Sequence, residues 1–259
     1  MPKMPSAKMA GVTAVGLPRR RINALLNIAF YQEQAQLTDQ RRTDNPDITF
    51  PLLGLFGETG SLLSEVKKKQ RDQVAYLGYE ASVLEELGDV LWYLAAVSAR
   101  AGLRLDELAV NLDRGLADWH ATAAPDLVFS ALEAPKSGIS SAPSPAFERK
   151  LLALAGEVGL LMTDHYAGRL ERNRSNLKGR LIAVLRALRD AAHEAGITLE
   201  AAAKANLEKI FDRWPTERTY PPLFDAQFPE KEHLPRNLVI DIAEVEVGGR
   251  AMARLTRNG

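Results

Sequence analysis

GLFGETGSLLSEVKKK, residues 54–69, and LEELGDVLWYL, residues 84–94, are two phrases of helical period in which acids stand among apolar residues. Glu86 and Asp89 are three positions apart, so their carboxylates share one helix face. Val90, Leu91 and Leu94 lie near that face and turn it inward. An inward acid is costly unless it is paired or bound to a cation. Glu58 adds a third acid, between Phe56 and Leu62–Leu63 on the preceding helix. Carboxylates converging from neighbouring helices make a hard-oxygen pocket of the kind Mg²⁺ uses to hold a polyphosphate, with Mn²⁺ as a substitute. The competing reading of the three acids is a salt-bridge network with Lys67, Lys68 or Arg114.

Working outward, most of the chain reads as helix. Residues 22–42 are amphipathic and are stopped by TDNPD. Residues 52–69 follow and end in Lys67-Lys68-Lys69. Residues 80–101 come next, closed by Gly102 at the position of a C′ residue, and residues 105–119 make a fourth helix. A Pro-, Ser- and Ala-rich stretch, 121–146, reads as a linker.

The pattern then repeats. LLGLFGETGSLL (52–63) matches LLALAGEVGLLM (151–162) at seven of twelve positions, Glu58 falling on Glu157. Leu87, Val90, Leu91, Leu94, Ala101 and Gly102 fall on Leu181, Val184, Leu185, Leu188, Ala195 and Gly196, and Asn111-Leu112 on Asn206-Leu207. This is an internal duplication. Glu85, Glu86 and Asp89, however, become Gly179, Arg180 and Ala183. The apolar scaffold repeats and the acids do not. The first copy therefore reads as the working site and the second as its structural partner. The expected order is a flexible arm (1–21), a catalytic repeat (22–120), the linker (121–146), a degenerate repeat (147–215) and a C-terminal loop and β-hairpin (216–259). The hairpin is read from the β-branched run 238–247 and Gly248-Gly249.

Composition narrows the function classes. The 259 residues carry 33 Lys+Arg and 33 Asp+Glu, and a net charge of zero disfavours nucleic-acid or membrane-surface partners. With no Cys there is neither a disulfide framework nor a thiolate nucleophile. The four His are scattered at 120, 165, 193 and 233, away from metal-ligand spacing. No apolar run is long enough for a membrane span, and a cytoplasmic protein is expected.

GLFGETGSLLSEVKK followed by LEELGDVLWYL, a glycine turn and a helix containing Asn-Leu resembles the all-α nucleoside-triphosphate pyrophosphohydrolases of the MazG type. The likeness covers residues 22–120 well and 147–214 weakly. It implies a mainly α fold, with tandem bundles forming a pseudo-dimer within one chain and room for a homodimer besides. It also implies Mg²⁺ held by an E-x-x-E and an E-x-x-D motif, and hydrolysis of nucleoside triphosphates to monophosphate and pyrophosphate. Glu86 and Asp89 match the second motif closely. Glu58 matches the leading acid of the first, but Ser61 stands where its partner would be. Metal ligands are thus expected at Glu58, Glu86 and Asp89. Glu65, about 10 Å along the axis from Glu58, and Glu85 are expected in supporting or proton-accepting roles. Lys67, Lys68, Arg114 and Asn111 are expected at the phosphates. With an acid lost at Ser61, the alternative is a weakened nucleotide-binding sensor or interaction protein.

Overall fold

The computed structural model describes residues 25–39, 47–113, 124–133, 141–213, 240–247 and 250–257. It is mainly helical. Helices α1 (Ile28–Leu37), α2 (Thr49–Asp72), α3 (Tyr79–Arg100), α4 (Leu105–Val110), α5 (Pro145–Tyr166), α6 (Arg169–Arg172), α7 (Arg174–Ala195) and α8 (Leu199–Arg213) follow one another in the first compact unit, residues 1–216. Their ends carry the local chemistry that sets them. The side chains of Asn27, Ser144 and Asn173 accept backbone N–H groups at the starts of α1, α5 and α7. Gly102 and Gly196, one in each half, take the left-handed conformation (φ +66° and +71°) that turns the chain out of α3 and α7. The long fourth helix expected over 105–119 is present as α4, which stops at Val110. The Asn111 amide bonds back to the Glu107 carbonyl, and Arg186 takes the Leu112 carbonyl, so neither group continues the helix. The rest of that stretch, 114–120, lies outside the described residues, as do 22–24 and 40–42 of the first.

α2 packs on α3 and α5 on α7, and both pairs share one continuous core. Leu52, Leu55 and Leu62 of α2 meet Leu87, Leu91 and Leu94 of α3, all fully buried; Leu154 and Leu161 of α5 and Leu181 and Leu188 of α7 do the same. Each such leucine contributes about 1.5–3 kcal/mol of burial. α2 and α5 lie side by side and antiparallel. Thr49 Oγ1 reaches His165 Nε2 at one end (3.0 Å), and Gln70 donates to Glu148 at the other (2.6 Å). The segment read as linker is partly built into this core. Phe129 is fully buried against Tyr31 of α1, and Asn27 bridges Val128. Leu127-Val128-Phe129 is the apolar phrase that composition alone hides among Pro, Ser and Ala.

α8 crosses α3 at a close approach that depends on Gly88. A Cβ there would stand 2.7 Å from the Ala202 carbonyl oxygen and 2.9 Å from Asn206 Cβ. That crossing lays α8 along the acidic phrase of α3. The second compact unit, residues 217–259, contains strands β1 (Ile240–Val247) and β2 (Arg250–Arg257), antiparallel with Ile240 opposite Arg257 and Val247 opposite Arg250. The Gly248-Gly249 turn lies outside the described residues. No described helix is long and apolar enough to cross a membrane.

Candidate metal centre

The buried stripes of α2 and α3 face each other, so the acids beside those stripes converge. One carboxylate oxygen from each of Glu58, Glu86 and Asp89 lies within 4.8 Å of the other two. Glu86 is the most constrained. Its Oε2 is buried and has no hydrogen-bond partner among the described residues. Burial pushes its carboxyl up to about 7, aided by the charges of Glu58, Asp89, Glu65 and Glu85. A buried carboxylate oxygen without a donor is a site for a proton or a cation. The donor set is entirely hard oxygen, which fits a Mg²⁺-type ion.

The surrounding residues come from more than one helix. Glu65 is buried on α2, where it accepts from Lys68 (2.5 Å) and from the Tyr76 hydroxyl, which in turn lies 2.9 Å from Ser82 Oγ. It is not one of the three converging groups. Glu85, exposed on α3, lies 3.1 Å from Lys209 Nζ. Lys209 also sits 2.5 Å from both oxygens of Asp89, and the Asn206 amide donates to Asp89 at 2.8 Å. Both residues belong to α8.

The residues expected at the phosphates have these surroundings. Lys68 is bound to Glu65, and Lys69 donates to the Tyr76 carbonyl (2.9 Å), because the turn after α2 folds back over the lysine run. Lys67 is exposed. Asn111 is fully buried at the end of α4, its amide on the Glu107 carbonyl, and the amide at Asp89 is that of Asn206. Arg114 lies outside the described residues. Among the described residues Asp89 pairs with Lys209. Trp92 donates its indole N–H to Thr38 (3.1 Å) and packs edge-on to Tyr93. Gln32, beside Tyr31, bonds the Ala95 and Leu103 carbonyls and the Leu105 N–H, fastening the α3–α4 corner.

Asn206 and Lys209 were missed from sequence, although a signal exists. Asn206-Leu207-Glu208-Lys209 repeats Asn111-Leu112-Asp113-Arg114 in residue type at every position. Reading the second copy as passive hid the phrase.

On α5 and α7 the residues that the sequence comparison sets opposite the acids form ion pairs. Arg180, at the position of Glu86, places Nε 2.6 Å from Asp164 Oδ2 and Nη1 3.9 Å from Glu157. Asp164, at the position of Glu65, also pairs with Arg169 at 2.6 Å. The two guanidinium groups hold its carboxyl below the ordinary range. Arg180 does pair with the counterpart of Glu58, but its closer partner is Asp164.

Comparisons of the chain with protein-family models, with curated proteins and with solved structures return no match.

Proposed function

We propose that this chain is a Mg²⁺-dependent nucleoside-triphosphate pyrophosphohydrolase, converting NTP or dNTP to NMP and pyrophosphate. The observation that carries the reading is the buried Oε2 of Glu86, without a hydrogen-bond partner among the described residues, in a three-acid cluster with Glu58 and Asp89. Glu58, Glu86 and Asp89 would hold the ion. Bound there, Mg²⁺ supplies Lewis acidity, neutralising phosphate charge and acidifying a water at the site. Glu85, exposed at the rim and able only to accept, takes the proton of the attacking water. Glu65, fixed by Lys68 and Tyr76, keeps the field around Glu86 negative. Lys209 moves from Asp89 to the departing pyrophosphate, where its charge stabilises the developing anion.

The proposal includes the tandem arrangement. The α2–α3 and α5–α7 pairs are copies of one helical hairpin, α4 and α8 are copies of one following helix, and the two halves form a pseudo-dimer in one chain. The contact of α8, from the second half, with Asp89, from the first, supports it.

The test is a panel of NTPs and dNTPs with Mg²⁺, detecting monophosphate and pyrophosphate, on the wild type and on Glu86→Ala and Asp89→Ala. Mg²⁺-dependent pyrophosphate release by the wild type and none by folded variants supports the proposal. Equal release by all three removes the site.

A second reading rests on Lys209. With an ammonium on both oxygens of Asp89 and Ser61 in place of an acid, the pocket suits a nucleotide-binding sensor. Nucleotide binding without turnover in the same panel would select it.

A further inference from the structure

Asp89 is held by two groups of α8, and they differ in kind. Lys209 is a cation that an incoming metal ion would compete with. Asn206 is neutral and can stay. Asn206 is 1% exposed, and its amide has only two useful orientations, related by a half-turn. Its Nδ2 donates to Asp89 Oδ1 at 2.8 Å. An ionised carboxylate can only accept, so the amide must turn its NH₂ toward Asp89 and its Oδ1 away. Oδ1 then lies 3.3 Å from the hydroxyl of Tyr31, which must be the donor.

Tyr31 can play that part at any working pH. It is fully buried in α1, and burial, with the charge of Asp89, holds its phenol well above its ordinary range, so the proton stays. Its ring is fixed edge-on to Phe129, centroids 5.5 Å apart at 82°. The line Phe129–Tyr31–Asn206–Asp89 therefore joins the 124–133 segment, α1, α8 and α3. Were the hydroxyl absent, Oδ1 would be a buried acceptor without a donor. Rotating the amide to escape would aim Oδ1 at the Asp89 carboxylate and repel it.

We propose that Tyr31 is a positioning residue for the cation site, its hydroxyl fixing the orientation in which Asn206 holds Asp89. This inference rests on the reading of Glu58, Glu86 and Asp89 as a cation site. When Lys209 gives way to a metal ion, the Tyr31–Asn206 pair is what keeps the Asp89 oxygen aimed inward. The role therefore shows in metal affinity and not only in stability.

The experiment is a Mn²⁺ titration followed by electron paramagnetic resonance of the free ion, with thermal unfolding alongside. The proteins are the full-length wild type, Tyr31→Phe, Asn206→Ala and the double variant. Tyr31→Phe is expected to weaken Mn²⁺ binding about fivefold to tenfold, the effect of one buried hydrogen bond between neutral groups. Asn206→Ala is expected to weaken it at least as much, and it tests the same link if Tyr31→Phe fails to fold. Because Tyr31 acts through Asn206, adding Tyr31→Phe to Asn206→Ala should not weaken binding further, although it should still lower Tm. Unchanged affinity in Asn206→Ala, unchanged affinity in a folded Tyr31→Phe, or additive losses in the double variant overturn the inference while leaving the cation site standing. Absence of Mn²⁺ binding by the wild type overturns both.

Discussion

Lys209 of α8 sets its ammonium 2.5 Å from each carboxylate oxygen of Asp89, a residue 120 positions earlier in the chain. The acids of α3 and the base of α8 thus form one electrostatic unit. Removing the base should have opposite effects on metal binding and on catalysis. Lys209→Met frees Asp89 from a competing cation, so Mn²⁺ should bind more tightly to the substrate-free protein. Turnover should fall about 10²-fold, as when one oriented donor is lost from a charged transition state. A Mn²⁺ titration and a pyrophosphate assay on the same preparation check both signs. Weaker metal binding would mean that Lys209 preorganises the acids instead of competing for them.

Glu86 carries a pH signature. Its carboxyl titrates at about 7 in the folded chain against 4.5 for an ordinary glutamate. Between these values the folded state holds a proton that the unfolded state has released, so stability falls as pH rises through that window. Glu86→Gln removes the effect. At pH 8 without metal it should raise stability by about 1 kcal/mol, discounted for the partial solvent access of the group, or about 2–4 °C in Tm. At pH 4 it should change little. Unfolding curves at the two pH values decide. A variant less stable than wild type at pH 8 would point to a donor for Glu86 that stabilises its charge.

Gly88 sets the distance between α3 and α8. Gly88→Ala places a methyl group 2.7 Å from the Ala202 carbonyl oxygen, which is backbone and cannot rotate aside. The helices must separate, at a cost of about 1–3 kcal/mol. Asn206 and Lys209 should then withdraw from Asp89. A lower Tm together with altered Mn²⁺ affinity is expected; a lower Tm alone would place the strain elsewhere.

Arg180 should be what excludes a metal ion from the second half. Arg180→Glu with Ala183→Asp restores the acids that stand at Glu86 and Asp89 in the first half. Counting bound Mn²⁺ per chain should then reveal an additional site that the wild type does not have. Unchanged stoichiometry would mean that Arg169, still on Asp164, is enough to keep cations out.

What could be read ahead of the structure divides by range. Helix faces repeat every few residues, so the α2 and α3 stripes, and with them the meeting of Glu58, Glu86 and Asp89, follow from local spacing. The C′ role of Gly102 is equally local. The partners of those acids are not. That Asn206 and Lys209 reach Asp89 depends on how α8 crosses α3, which Gly88 permits and no periodicity announces. The lysine run shows the same division. Its nearness to the acids was legible, but Lys68 and Lys69 are engaged by Glu65 and by the Tyr76 carbonyl of a turn whose path local spacing does not give. Phe129 was overlooked because the average over residues 121–146 is linker-like while three consecutive residues within it are core-like.

The crossing of α3 and α8 also fixes how the centre responds to dilution. Sites shared between separate subunits come apart as concentration falls, and their specific activity falls with them. Here the acid-bearing and lysine-bearing helices are joined by one backbone, so their encounter is unimolecular and their effective concentration is set by the intervening chain. The Asp89–Lys209 contact accordingly needs no second molecule to form.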